Sequence, residues 1–448
     1  MTSIDTPTLS KFSRLKILLV CALWAFGLIQ IIFPTEEFSY VLAGLLVCFA
    51  LISLPNAAWN AQLLCTLLAI ATIALGYKYG SWEAIFQGLS RASIFPAFLS
   101  TIVLLRAAAD QRPEIQMARH LFSSLDKNRR DSGLVVGGFL LGSVLQVGVF
   151  AIMAPILGRS APNEERRDVF VAAMRGMALV PFWSPFVVGM AVASQYLPSV
   201  PLWQIISLGL GMSAICILLS IFCFDRAGGL ITLWRSLMTL APIAPPIAIA
   251  ALLVVGTTLG TGYSTLQALV LAMPIPCLIA VSVAPGGSIL KAIKSTGQRL
   301  TRIGSETAIL TFATILGMVF ESSLPATGLL KVITSLNLTP TVIIFFLIMA
   351  MNILGLLGVH SIVSGTILLV LFTGIPTGLS NLVLMQALLV GWGLCTATSI
   401  GSLSIVTGAT MFELPVMKLI TWKNIVYIFV GGTICAIILA IINPFLLS

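Results

Sequence analysis

Charge is scarce in this chain. Lys, Arg, Asp and Glu together make up 9% of its 448 residues, there are two histidines, and no carboxylate falls near the middle of any apolar run. A dedicated Asp/Glu proton relay, which places ionisable groups inside the membrane, is therefore not visible. The eight cysteines (Cys21, Cys48, Cys65, Cys216, Cys223, Cys277, Cys395, Cys435) are scattered singly, with no CxxC and no histidine at ligand spacing. They read as small packing residues, not as disulfide partners or metal ligands. The period-2 alternation of an outer-membrane barrel is missing. No small-residue cleavage site precedes Glu36, so the first apolar run, behind Lys11, Arg14 and Lys16, reads as a retained helix and not a signal peptide. No ring-forming filter motif appears, which disfavours an ion channel.

What the chain has is apolar length. Hydrophobic residues make 58% of it, mean hydropathy is +1.08, and apolar runs of about 18 to 20 residues recur throughout. In hydrocarbon every backbone polar group needs an internal partner, so runs this continuous are helices and the expected fold is an all-α polytopic membrane protein. The net charge of +9 sits in loops between the runs, where the inner-leaflet bias of Lys and Arg accounts for it without nucleic acid.

Threading by that bias places every Lys and Arg inside except Lys78 and Lys331, which face out, and Arg91 and Arg175, which lie within apolar segments. The N-terminus is then cytoplasmic and the C-terminus outside, as in a bacterial-type inner membrane. Spans are expected at about 17–34, up to 54, up to 77, up to 106, 169–197, 202–224, 238–256, 266–284, 306–320, 382–412 and 425–446. Two further segments break the alternation. The stretch 133–158 has the cytoplasmic signature on both flanks, from Arg106 to Arg130 and from Arg159 to Arg167, so it is expected to dip in and return, turning near Gly142 to Gly148. The stretch 338–373 has one Lys and no Arg on its flanks and mirrors it from the other side. The chain thus divides into N-terminal helices (1–57) and two inverted repeats (58–236 and 237–448), each with a re-entrant hairpin and a broken helix. Only fourteen residues separate Arg91 from Arg106, which makes the fourth span the weakest part of the threading.

Local sequence repeats the pattern. The hairpins read LLGSVLQVG from Leu140 and LLGVHSIVSG from Leu356; the spans after them break at PFWSPFVVGMA from Pro181 and CTATSIGSLSIVTGAT from Cys395. Pro181 and Pro185 remove backbone donors, and the Gly/Ser/Thr density of the second break lowers helix propensity. Unwound carbonyls and hydroxyls can hold a dehydrated cation, while freed helix N-termini face an anion. The candidate binding residues are Ser143, Gln146, Gly148, Ser184, Pro185, His360, Ser361, Ser364, Thr366, Thr398, Ser399 and Ser402, of which Ser143, Gln146, Ser184, His360, Ser361, Ser364, Thr398 and Ser402 are expected to converge on one midplane cavity. Sodium, if it is the coupling ion, would sit at Ser143, Ser184, Ser364 and Ser402. Arg175 is either an anion partner or a side chain snorkelling to the cytoplasmic headgroups. His360 is either a hydrogen-bonded structural residue or a substrate or proton contact. Asn352 and Gln386 read as interhelical hydrogen-bond formers.

This order of four helices, cytoplasmic hairpin, broken helix and helix, followed by the inverted set, resembles the ion transporter superfamily, in particular its divalent anion/sodium symporters. The likeness covers nearly the whole chain by architecture and the tips and breaks by sequence. Members carry Ser-Asn-Thr at each tip, contributing to sodium and carboxylate sites; here Ser143 is followed by Val144 to Gln146, and Ser361, Ser364 and Thr366 keep hydroxyls without Asn. The resemblance implies a secondary transporter of a small anion, an organic acid, working by alternating access, with a homodimer as the assembly, sodium as the expected coupling ion and no other cofactor. His360 is the evident titrating group should protons serve instead. Two other classes fit less well. A membrane-embedded transferase needs a surface cluster of catalytic groups, which only the loop 106–133 is long enough to build, and its charges are not grouped for catalysis. An accessory or scaffolding subunit leaves the polar tips without a purpose.

Overall fold

The computed structural model describes residues 11–115, 117, 130–157, 161–224 and 229–447. Arg119, His120, Lys127, Arg129, Arg159 and Arg226, on which part of the expected sidedness rests, lie outside the described residues. Those described form helices and no strand. Many helices begin at the residue type that physical chemistry favours there. Thr35 accepts from Phe38 N with Glu36 and Glu37 in the first turn, Ser264 and Gln267 form a reciprocal capping box, and Ser288, Thr339, Ser380 and Ser402 each cap a helix N-terminus through the side-chain oxygen.

Among the described residues ten helices are long and apolar enough to cross a membrane, from Phe12–Ile32 to Trp422–Leu447. The chain is a multi-pass membrane protein. The expected fourth span is there as Glu83–Ala109, interrupted only at Ser93 and Ile94. The spans expected at 169–197 and 382–412 are each two shorter helices with a gap, and Asp131–Ile156 is a helical run long enough to cross. Two elements were not foreseen: Ile289–Leu300, where Ala292, Thr296 and Leu300 are buried while Lys291 and Lys294 are not, and the short helix Leu329–Ser335.

Packing groups the chain into two units that cut across the sequence halves. The smaller comprises 1–107 and 288–323; the larger comprises 108–287 and 324–448. In the smaller unit the helix from Glu83 lies along the helix Gly304–Thr327. A Cβ on Gly88 would lie 2.6 Å from Ile315 Cα, and Ala84, Ile315 and Val319 form a buried cluster beneath Leu75, Ile85, Leu89 and Met318. Ser81 and Ser323 hydroxyls meet at 2.9 Å, and Arg91 reaches Met318 sulfur at 3.0 Å and Glu321 at 3.9 Å, which accounts for a charge within an apolar segment.

The larger unit holds both breaks. The helix Arg130–Leu145 runs beside Asn163–Met177 so closely that a Cβ on Gly138 would collide with the Ala173 carbonyl, and one on Gly142 would meet Met177. Ser143 then meets Ser184 and Gln146 meets Phe186, so the two segments advance together. Past Gln146, however, Phe150 stacks on Phe170 with ring centroids 4.9 Å apart. The chain has reversed. In the second half Pro340–Leu356 runs beside Asn381–Thr396 in the same sense, Met351 at Gly391 and Gly355 at Cys395; Ser361–Thr373 returns, with Gly365 at Trp392 and Phe372 beside Phe346. Each half therefore carries a reversed helix pair followed by a broken helix.

Candidate functional site

The first turn is made by Gln146, whose backbone takes φ +50°, a left-handed value unusual without glycine. Its side chain holds the position: Nε2 donates to the Phe186 carbonyl at 2.7 Å. That carbonyl is available because Asn163–Met177 ends just before Pro181 and Pro185, and helix resumes only at Val188. Ser184 Oγ donates to the Ser143 carbonyl at 3.3 Å and accepts from Phe186 N, while Ser143 Oγ donates to Leu140 O at 2.6 Å. Ser143, Gln146, Ser184 and Pro185 thus form one group, and Gly148 closes the turn beside it.

The second turn, Leu357 to His360, passes through Gly358 at φ +87°, a conformation that glycine adopts without a Cβ clash. His360 ends it as a helix cap, with Nδ1 accepting from Ile362 N at 3.2 Å. Ser364 Oγ lies 3.4 Å from Ser361 O, and Thr366 is buried on the same helix. The turn touches the second break directly, since a Cβ on Gly401 would lie 3.1 Å from Gly358 O. Ser402 begins the helix Leu403–Met411, accepting from Ile405 N and donating to Thr396 O at 2.9 Å. Between the helices lie Thr398 and Ser399, 1% and 2% exposed, whose hydroxyls have no hydrogen-bond partner. Asn352, one turn before Gly355, donates to Ile348 O and leaves its buried Oδ1 without a partner. Buried polar atoms are mostly satisfied, and the Thr398 and Ser399 hydroxyls at this break and the Asn352 oxygen are among the exceptions in the described residues. Asn352 was missed as a site residue; its signal was a lone amide in an apolar run, two turns before the second tip.

The two groups meet across the halves. The turn Gln146–Gly148 lies against Leu403–Met411, and Ser361–Thr373 lies against Val188–Tyr196. Gln386 Nε2 donates to Phe182 O at 3.0 Å, and a Cβ on Gly393 would strike the Ala178 carbonyl. Trp392 fills the space between Gly189 and Gly365.

Arg175 has another partner than those expected of it. It is 3% exposed, its Nη2 donates to Asp131 at 2.6 Å, and its guanidinium lies 3.8 Å over the Phe224 ring. The charge is held by a carboxylate in the first turn of Arg130–Leu145. A cavity of about 440 Å³ also lies apart from the expected residues, lined by Tyr196, Phe372, Thr373, Thr377, Asn381 and their neighbours.

One solved structure is similar over nearly the whole chain. It is the YdaH transporter of Alcanivorax borkumensis, described as having an unusual topology; it matches with a TM-score of 0.52 and 14% identity, over 90% of this chain and 98% of that one. The two share a fold. No protein-family model matches the chain, and no curated protein does. Similarity at this identity speaks for the architecture of reversed pairs and broken helices, and not for any side chain at the breaks.

Proposed function

We propose that this protein is a secondary active transporter of a small anion, an organic acid, working by alternating access in a bacterial-type inner membrane. The observation that carries the reading is the set of buried, uncommitted oxygens of Asn352, Thr398 and Ser399, where a helix breaks against the tip of a reversed pair. Breaks in mid-membrane are tolerated where they line a path for solute or ion, and that is where transporters of inverted repeats bind. The transporter that shares the fold supports the same role. The reversed pairs are read as re-entrant hairpins entering from opposite sides, the first from the cytoplasm, with the N-terminus inside and the C-terminus outside.

Sodium is the coupling ion in this reading, as in the divalent anion/sodium symporters that the architecture resembles. Ser143, Ser184, Ser364 and Ser402 each donate a proton to a carbonyl, which leaves oxygen lone pairs directed away from that bond. Together with Asn352, Thr398 and Ser399 they are the oxygen donors that this reading assigns to a hard cation. The helices that start at Ser361, Val188 and Leu403 offer N-terminal N–H groups to the substrate's negative charge. Uptake by purified protein in liposomes, using candidate carboxylates and oxyanions with and without a sodium gradient, tests this. Accumulation that follows the sodium gradient is expected; absence of uptake for every anion under either gradient overturns it.

A further inference from the structure

One helix of the smaller unit packs against the protein by one side only. Ile289–Leu300 rests on it through Ala292, Thr296 and Leu300, a buried stripe at four-residue spacing, and lies against the helix Lys11–Ile32, whose first turns carry Arg14 and Lys16. Two other stripes face away. Leu290 and Ile293, three residues apart, are 76% and 53% exposed, and Gly297 continues their line. Lys291, Lys294 and Gln298 form the other exposed line, and Arg302 follows four residues on, in the turn after the helix. A helix with a protein side, an apolar side and a basic side has two different surroundings left to meet.

Its place in the chain says which. The helix joins the end of the span Thr265–Val283 to the start of Gly304–Thr327, so both of its ends belong to one face of the membrane. Gly286, at φ +71°, and Gly287, whose Cβ would strike the Val281 carbonyl, turn the chain sharply out of the first span. At the far end Gly304 sits on Ser53, where the helix Glu36–Ser53 stops. A helix of 12 residues, about 18 Å long and tethered at both ends to that face, lies along it. In that plane the apolar side reaches the acyl chains and the basic side reaches the headgroups. The sequence has no Asp or Glu between Asp225 and Glu306, and among the described residues no carboxylate pairs with Lys291, Lys294 or Arg302.

We infer that Ile289–Leu300 is an interfacial helix that binds anionic phospholipid, with Leu290 and Ile293 among the acyl chains and Lys291, Lys294 and Arg302 on the phosphate-bearing headgroups. The sign of the charge decides between lipids. A zwitterionic headgroup carries its own cation and gains little from these three, whereas an anionic one meets uncompensated positive charge along the whole helix. In the threading proposed above the site lies on the cytoplasmic face, and it stands whether or not the protein carries a solute.

The test uses the full chain in lipid nanodiscs, with the exposed Cys21, Cys48 and Cys223 replaced by serine and a bimane fluorophore on Ile293→Cys. Phosphatidylglycerol and phosphatidylcholine, each carrying a doxyl quencher on the acyl chain, are added in turn. Both should quench. The anionic lipid should reach half-maximal quenching at a mole fraction at least about fivefold lower, the factor for one Lys or Arg near an anionic surface. Lys291→Gln, Lys294→Gln and Arg302→Gln should each narrow that gap and together close it, with quenching by phosphatidylcholine unchanged and a single species on gel filtration. Lys418→Gln with Lys423→Gln, on another segment, should leave the gap as it was. Bimane on Gln298→Cys, on the basic side, should be quenched less than on Ile293→Cys by either lipid. Equal half-points in the chain with its cations intact, a gap that survives the triple substitution, or one closed equally by the Lys418 and Lys423 changes would overturn the inference, as would quenching no greater at 293 than at 298.

Discussion

An arginine whose charge is held inside the protein responds differently to mutation from one waiting for substrate. Replacing Asp131 by Asn leaves the buried Arg175 guanidinium with the Phe224 ring and no carboxylate. Breaking a buried ion pair by removing one partner costs about 3–5 kcal/mol. Asp131 is 31% exposed, so the expected loss is nearer the lower figure, read as a fall in unfolding temperature that Arg175→Met in the same chain partly restores. Thr398→Val and Ser399→Ala behave in the opposite way. Removing a hydroxyl that has no partner leaves stability unchanged or slightly raised. If those oxygens hold the coupling cation, uptake should fall at least about tenfold, corresponding to the roughly 1.4 kcal/mol of a lost ligand contact, with a higher sodium requirement. Unchanged sodium dependence in both variants would remove the cation site from this break. His360 serves as a helix cap through an unprotonated Nδ1, and Asn is also a good cap. His360→Asn should therefore keep sodium-dependent uptake. Native uptake that ignores sodium but follows a pH gradient, and is lost in His360→Asn, would shift the coupling to protons.

At the scale of elements, the positions of the helices were largely legible and the turns were only partly so. Apolar length and loop charge located Leu202–Phe224 to the residue and the other long helices to within about two turns at each end. The first turn falls within the expected stretch from Gly142 to Gly148, at Gln146, while Gly138 and Gly142 are spent on close helix packing. Nothing local marks Gln146, because its left-handed backbone is secured by a carbonyl 40 positions away. Pairing explains Arg175 as well, which was legible as costly but not as paired. Sidedness is tested by single cysteines on the exposed Glu164 and Thr373. Membrane-impermeant maleimide should label the first from the cytoplasmic side and the second from the other, and labelling of both from one side would overturn the opposed hairpins. The ends of the broken helices are joined in matching fashion: Arg166 to Glu413 at 2.7 Å, and Asn381 to Ser199 at 3.3 Å. Glu413 is largely exposed, so Glu413→Gln should change stability by less than about 1 kcal/mol, measured by chemical unfolding.

For the whole molecule, the division into packing units has a consequence in time. The smaller unit needs residues 1–107 and 288–323, and the 180 residues between them belong to the other unit. At about 5–20 residues per second, the ribosome takes roughly ten to forty seconds to deliver that intervening stretch. Throughout that interval the Glu83–Ala109 helix, largely buried in the finished protein, sits in the bilayer before the helix Gly304–Thr327 that covers Ala84 and Gly88 has been made. Arg91 meanwhile waits without Glu321 or Met318. A nascent chain stalled near residue 287 should accordingly be the form most exposed to membrane quality-control proteases, and extension by some forty residues should relieve it.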